Sequence, residues 1–329
     1  LIGTYNTAVG YNSLTANTGE INTAFGAKSL ASNTSGSGNT AVGWRSLEAN
    51  VTSHNNTAVG YHSLTANTGS DNVAVGSQAM NSNIGGNYNT AVGQLSLTDN
   101  TSGQLLTAVG YSALANNTTA VSNTAVGYLC LLTNTTGTQN TAIGTNSLTA
   151  NTTANDNVAV GFNALVANTT GAENTAVGGY NTLGANTTGS FNVALGRLAG
   201  ASATTGDRNI FIGLQAGNSS GTHTGNDNVV IGARSSWGNV NPGGGLTTGY
   251  DNVMMGTAVG IWSVGMTTGY ANVFIGPYTT GSVGTGNTQV TIGSNLQNQR
   301  GNNTISFGTH NSWVGLDGGS TTVYSSSDQ

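Results

Sequence analysis

Four histidines, His54, His62, His223 and His310, are the side chains best suited to act as general bases or metal ligands near neutral pH. No cysteine or recurring carboxylate stands beside them at a metal-ligand spacing, so all four are expected on the surface. Serine is abundant, but no Ser-His-Asp arrangement can be assembled around it. Neither enzymatic activity, a cofactor nor a resident metal is expected. Cys130 is the single cysteine and has no intrachain disulfide partner. It stands where equivalent stretches carry Ser63, Ala113 and Ser147, and it reads as a small buried filler.

Asp71, Asp156, Glu173, Asp227 and Asp251 each directly precede the Asn of a recurring pentad, typically Asn-Thr-Ala-Val-Gly. Asp156 with Glu173, and Asp227 with Asp251, fall on consecutive copies. If the copies stack, each pair lies about 5 Å apart. Carboxylates that close repel, share a proton or hold a cation such as Ca²⁺, and a solvated turn is the plainer reading. Paired carboxylates also raise glycoside hydrolysis, but no cleft is foreseen to hold a substrate. Six aromatic residues follow the pentad glycine: Tyr11, Trp44, Tyr61, Tyr111, Tyr128 and Phe162. Equal offsets put them on one edge. There they either pack against a neighbouring chain or turn, or stack on the sugar faces of a receptor glycan. The Asn-X-Ser/Thr sequons follow automatically from the repeated turn.

The elements that carry these residues are set by the repeat. The pentad ends on Gly10, Gly26, Gly43, Gly60, Gly76 and so on, at spacings of 16 or 17 as far as Gly178 and irregular spacings as far as Gly308. A period that short suits one turn of a parallel β-helix or β-roll and is too short for helix-pair or propeller repeats. About eighteen coils at ~4.8 Å each would make a rod of roughly 85 Å. Within the pentad, side chains alternate between two faces. Thr57 and Val59, with their equivalents, are read as pointing into the coil, and Ala58 as facing a neighbouring chain. Leu64, four residues past the glycine, supplies a second inward contact. Asn67, seven past it, is read as a left-handed turn residue. The pentad Asn is read as stacking in a ladder. In the last copies the Ala slot becomes Phe211, Val230, Met254 and Phe274. Neither strand face then has a solvent-like composition, which predicts a homo-oligomer, a homotrimer first.

Repeat regularity divides the chain into 1–200, a regular solenoid; 201–308, an irregular solenoid with longer loops; and 309–329, a junction. There are 51 Gly and 2 Pro, and 5% of residues are charged, against roughly a quarter in ordinary soluble domains. Regular placement of the apolar residues argues against disorder. The net charge is −5 and the six basic residues are spread out, which excludes nucleic-acid binding through phosphate neutralisation. No apolar run reaches ~20 residues, so no membrane insertion is expected of this segment. The chain starts inside the repeat pattern without Met or a signal peptide, and is expected to be a fragment or a processed chain.

The run "NTAVG…SL…NT", with variants "NVAVG" and "NTAIG", resembles the head repeats of YadA-like trimeric autotransporter adhesins, repeats also found in phage tail fibres. The resemblance covers about residues 3 to 308. It implies an all-β, left-handed parallel β-roll, three chains side by side, and attachment to a surface. The ending Ser325-Ser326-Ser327-Asp328-Gln329 resembles the junction before a self-cleaving intramolecular chaperone of phage fibres, which would map cleavage onto Ser327 and Asp328. The expectation is an extracellular structural and adhesive fibre on a virion or bacterial surface, with a host glycan or protein receptor as partner and a phage tail fibre favoured. The alternatives are a bacterial adhesin head and a glycan depolymerase spike. An ice-binding solenoid needs a flat exposed Thr array, and is set aside because Thr57 and its equivalents are read as inward.

Overall fold

The computed structural model describes residues 3–218, 221–236, 247–260, 268–280, 287–296, 303–309, 312–317 and 323–325. Ser327, Asp328, His310 and much of the long segments after Gly232 and Gly256 lie outside them. Among the described residues every regular element is a β-strand, and no helix is long and apolar enough to cross a membrane. The chain forms two compact units, residues 1–157 and 158–329. The lengthening of the repeat after Gly232 falls inside the second.

The first unit holds nine strands of three residues: β1 (Thr7–Val9), β2 (Thr23–Phe25), β3 (Thr40–Val42), β4 (Thr57–Val59), β5 (Val73–Val75), β6 (Thr90–Val92), β7 (Thr107–Val109), β8 (Thr124–Val126) and β9 (Thr141–Ile143). Each pairs in parallel with the next, in register: Ala41 lies opposite Ala58, and Ala58 opposite Ala74. A parallel sheet made of successive coils of one chain is the expected β-solenoid. The second unit continues the pattern with β10 (Val158–Phe162), β11 (Thr175–Tyr180), β12 (Val193–Leu195), β13 (Ile210–Ile212), β14 (Val229–Ile231), β15 (Val253–Met255), β16 (Val273–Ile275) and β17 (Val290–Ser294). It closes differently. β17 pairs in parallel with β18 (Thr304–Thr309), but β18 pairs antiparallel with β19 (Ser312–Asp317), and β19 antiparallel with β20 (Val323–Ser325). The segment 309–329, expected as a junction, therefore carries two further strands.

The facing of the pentad is the reverse of the sequence expectation. Ala24, Ala41, Ala58 and Ala74 are completely buried, while Thr7, Val9, Thr23 and Phe25 are exposed and Thr57 and Val59 half-buried. Alternation defines two faces without saying which is inside. The buried Leu64 and the asparagines leave room only for a methyl group across the coil, so Ala takes the inside. The pentad glycine makes the turn possible. Gly60 has φ +138°, and a Cβ there would stand 2.4 Å from the carbonyl oxygen of Gly76 in the next coil.

Two asparagine ladders hold the coils together. In the pentad column, the Asn72 N–H donates to Asn56 Oδ1 at 3.0 Å, and Asn56 Nδ2 donates to the Gly69 carbonyl at 3.0 Å. This ladder was expected; the second was not. Asn67 is not in the left-handed region. It is buried, donating from Nδ2 to Gly69 O at 2.7 Å and accepting from Asn83 Nδ2 at 2.8 Å. The left-handed residues are others: Asn55, His62 and Leu64 in this coil, at φ +57°, +56° and +49°. Leu64 tolerates that strained backbone because its side chain fills the core.

From β13 onward the second unit fills its interior differently. Phe211, Val230, Met254 and Phe274 are fully buried in the slot that Ala occupies in the first unit. In the same four coils the position of Leu64 becomes Gly217, Ser236, Gly260 and Thr280, and it is already Gly200 in the coil before, where the strand still carries Ala194. A Cβ at Gly217 would lie 2.2 Å from the Phe211 ring, and one at Gly200 would lie 2.7 Å from it. Side-chain volume moves from one wall of the coil to the other.

Candidate functional site

The most extensive candidate is the outward face of the strands. In the first unit it consists of a column of Thr, with Val at Val73, beside a column running Val9, Phe25, Val42, Val59, Val75, Val92 and on to Ile143. In the second unit Thr175 still stands in the first column, and from β12 to β16 both columns are aliphatic, as in Val193 with Leu195, Ile210 with Ile212 and Val253 with Met255. Every one of these side chains is at least partly exposed in the single chain, with Phe25 at 56%. Such a contiguous apolar strip is uncommon on a solitary protein.

The aromatic edge forms ring pairs rather than one continuous stripe. Trp44 and Tyr61 stack with centroids 5.1 Å apart, and Tyr111 and Tyr128 stack at 5.4 Å. Phe162 pairs with Tyr180 at 5.6 Å. Sequence reasoning missed Tyr180 because the extra glycine at Gly179 moves it one place from the regular offset. It also missed Tyr250 and Tyr270, stacked at 5.1 Å, which lie two residues before the pentad Asn. Tyr11 stands at the expected position and is 73% exposed. The rings thus pack on one another along the coil axis and keep their outer edges free.

Beside Trp44 and Tyr61 lies a cluster of charge. Arg45 Nε donates to Glu48, Lys28 Nζ is 3.9 Å from the same carboxylate, and the Arg45 guanidinium sits 5.2 Å from the Trp44 ring. His62 meets both rings edge-on, at 4.7 Å to Trp44 and 4.5 Å to Tyr61. Burial pushes the His62 imidazole below its ordinary pKa, the Arg45 charge adds to that, and Glu48 opposes it. His54 accepts a hydrogen bond at Nδ1 from the Ser37 N–H and is exposed, as expected.

Of the carboxylate candidates, Asp156 and Glu173 are both exposed. Asp227 is engaged by Arg208 in a bidentate pair, with bonds of 2.6 and 2.8 Å. The hydrogen bond from Arg208 holds its carboxyl below the usual range. The charge proposed for sharing with Asp251 is already neutralised by an arginine one coil away. Among the described residues no three His, Cys, Asp or Glu side chains gather as metal ligands.

Two groups turn inward. Cys130 is buried, its thiol donates to the Ala142 carbonyl at 3.0 Å, and burial pushes its pKa up to about 11, consistent with a filler. His223 is the correction. Expected on the surface, it is completely buried with its ring edge-on to Phe211 at 5.4 Å, and neither ring nitrogen has a hydrogen-bond partner. It bridges to Ala203, which stands where the preceding coil has Asn186. The inner Asn ladder stops there, leaving Asn186 Oδ1 unpartnered. Desolvation lowers the His223 pKa to about 4. The irregular 19-residue step from Gly213 to Gly232 was the only signal in the sequence.

No family model, curated protein or solved structure matches this chain.

Proposed function

We propose that the chain is a structural and adhesive segment of an extracellular fibre, on a virion or bacterial surface, rather than an enzyme. In this reading three copies associate through the outward Thr/Val face, and the left-handed winding of the resembling repeats applies here too. The observation that carries the proposal is that face: two columns, both aliphatic in the five strands from Val193 with Leu195 to Val273 with Ile275, left open by a single chain. With Ala58 and its equivalents inside the coil, Thr57, Val59 and their equivalents are the side chains that a partner would cover. Three-fold display of weak contacts would supply avidity. Phage tail fibre stays ahead of adhesin head on the Ser-Ser-Ser-Asp-Gln ending.

The test is retention of the fluorescently labelled protein on intact cells of a panel of bacterial strains and animal lines. Saturable binding to some of them is expected. Absence of binding throughout overturns the adhesive reading, and release of reducing sugar from the bound cells moves it to the depolymerase alternative.

One observation favours a second reading, ice binding. The reason for setting it aside is gone: Thr7, Thr23, Thr40 and Thr57 face outward in an evenly spaced column. The column turns aliphatic from Val193 onward, which suits a protein partner better than ice. Thermal hysteresis at micromolar protein would establish the second reading in place of the first.

A further inference from the structure

Lys28, Arg45 and His62 occupy the same position on three consecutive coils, two residues past the pentad glycine. Their backbones interlock with the aromatic column: the Arg45 N–H donates to the Ala27 carbonyl at 3.1 Å, and the His62 N–H to the Trp44 carbonyl at 3.0 Å. The basic column therefore runs directly beside the Trp44–Tyr61 pair. The position of Trp44 and Tyr61 is held by Ala27 on the coil before and Ser77 on the coil after, so the two rings form a step between small residues. Both are accessible, Trp44 at 40% and Tyr61 at 50%. Lys28 and Arg45 are also partly exposed.

The charge balance of this patch opposes that of the chain. Two cations face the single carboxylate of Glu48, a net of +1 (+2 − 1) at neutral His62, on a protein of net charge −5. Burial is the first cause of the lowered His62 pKa, and of the two neighbouring charges Arg45 lowers it more than Glu48 raises it. A flat aromatic step offers apolar contact to the C–H face of a pyranose, and adjacent cations select for an anionic substituent.

We propose that the Trp44–Tyr61 step with Lys28 and Arg45 binds an anionic pyranose, a sugar ring bearing a carboxylate or phosphate group. The inference rests on the adhesive reading and names its ligand class. The ring lies against the aromatic pair, and the anion meets Lys28 and Arg45. His62 reports occupancy, because a bound anion raises its pKa.

The experiment is a titration of the full chain followed by NMR of the His62 ring, with four probes. Sialyllactose against lactose tests the carboxylate arm, and mannose 6-phosphate against mannose the phosphate arm. The expected result is at least tenfold tighter binding of one or both charged sugars than of the neutral counterpart, with an upward shift of the His62 pKa. Trp44→Ala should weaken binding of the charged sugar about tenfold, Trp44→Tyr should retain it, and Lys28→Gln should erase much of the preference over the neutral sugar. Melting temperatures of all three variants identify any that misfold, and Trp44→Tyr and Lys28→Gln keep the test intact if Trp44→Ala does. Equal affinity for charged and neutral sugars, or charged-sugar binding unchanged in Trp44→Ala and Lys28→Gln, overturns the patch while leaving adhesion standing. Cell retention lost together with all sugar binding overturns both.

Discussion

The coil that closes on Gly60 and the coil that closes on Gly213 enclose their cores by opposite means. In the first, Ala58 on the strand faces Leu64 on the turn; in the second, Phe211 faces Gly217. The outward residues change with them, from Thr57 and Val59 to Ile210 and Ile212. Buried polar groups differ as well. The first unit carries an unbroken inner Asn ladder from Asn17 to Asn151, built of Nδ2-to-Oδ1 bonds such as Asn100 to Asn83 at 2.7 Å. The second unit loses that ladder at Ala203 and seats His223 in the core. One repeat thus supports two interiors: one polar and uniform, the other bulky, apolar and locally frustrated.

Exchanging the two recipes should produce the largest effects. Phe211→Ala removes a fully buried ring that packs between Gly200 and Gly217, and is expected to cost about 3–5 kcal/mol. Gly217→Leu alone should cost about 1–3 kcal/mol or somewhat more, by forcing a side chain into the ring. The double variant restores the first unit's pairing and should recover roughly half of the loss, the remainder being the space beside Gly200. Urea unfolding of the two single variants and the double variant measures the coupling. Additive losses would show that the two positions do not share one volume.

Acid and alkali should separate the units next. The folded His223 has a pKa of about 4 against 6.5 for the free group, so the unfolded chain takes up its proton first. Stability should be intact above pH ~6.5 and fall progressively toward pH 4, by roughly 3 kcal/mol in total. Cys130 in the first unit acts at the opposite end. Its thiol stays protonated to about 11 when folded, against 9.0 when free, so its contribution is intact below pH 9 and lost as pH rises through 11. Hydrogen exchange followed coil by coil should show acid loosening around β13 and alkaline loosening around β8. His223→Leu should abolish the former and Cys130→Ser the latter.

Cutting the ladder comes third. Asn100→Ala strands Asn83 Oδ1 and removes the acceptor for Asn117 Nδ2, which should cost about 2 kcal/mol. The smallest effect is expected at the surface of the second unit. The Arg208–Asp227 pair is solvent-exposed, so Asp227→Asn should leave the melting temperature within error at physiological salt.

Much of this was legible before the structure. Period, strand position, the inward Leu64 and the stacking of Asn56 all follow from spacing, because a parallel solenoid repeats every contact at the coil period. The facing of Thr57, Ala58 and Val59 was not, since alternation has no sign of its own. A clue existed in the paired exchange of Ala58 and Leu64 for Phe211 and Gly217, which only makes sense if both positions share one interior. The turn role given to Asn67 failed because Asn suits left-handed backbone and buried ladders equally well, and only the neighbouring Leu64 shows which was taken. His223 was unreadable for the opposite reason: it breaks the register, so no sibling position announced its burial. Of the candidate site residues, the ring pairs were legible as an edge. The charge around Trp44 was visible as letters, but became a patch only once consecutive coils were stacked.

The outward Thr/Val face carries the central claim, and sedimentation equilibrium of the intact chain tests it most directly. The monomer mass is 32.8 kDa. The account expects three times that value at micromolar concentration, dropping toward the monomer when a lysine is placed mid-face, as in Ile212→Lys. A stable wild-type monomer at that concentration, with the aliphatic columns open to water, would contradict it.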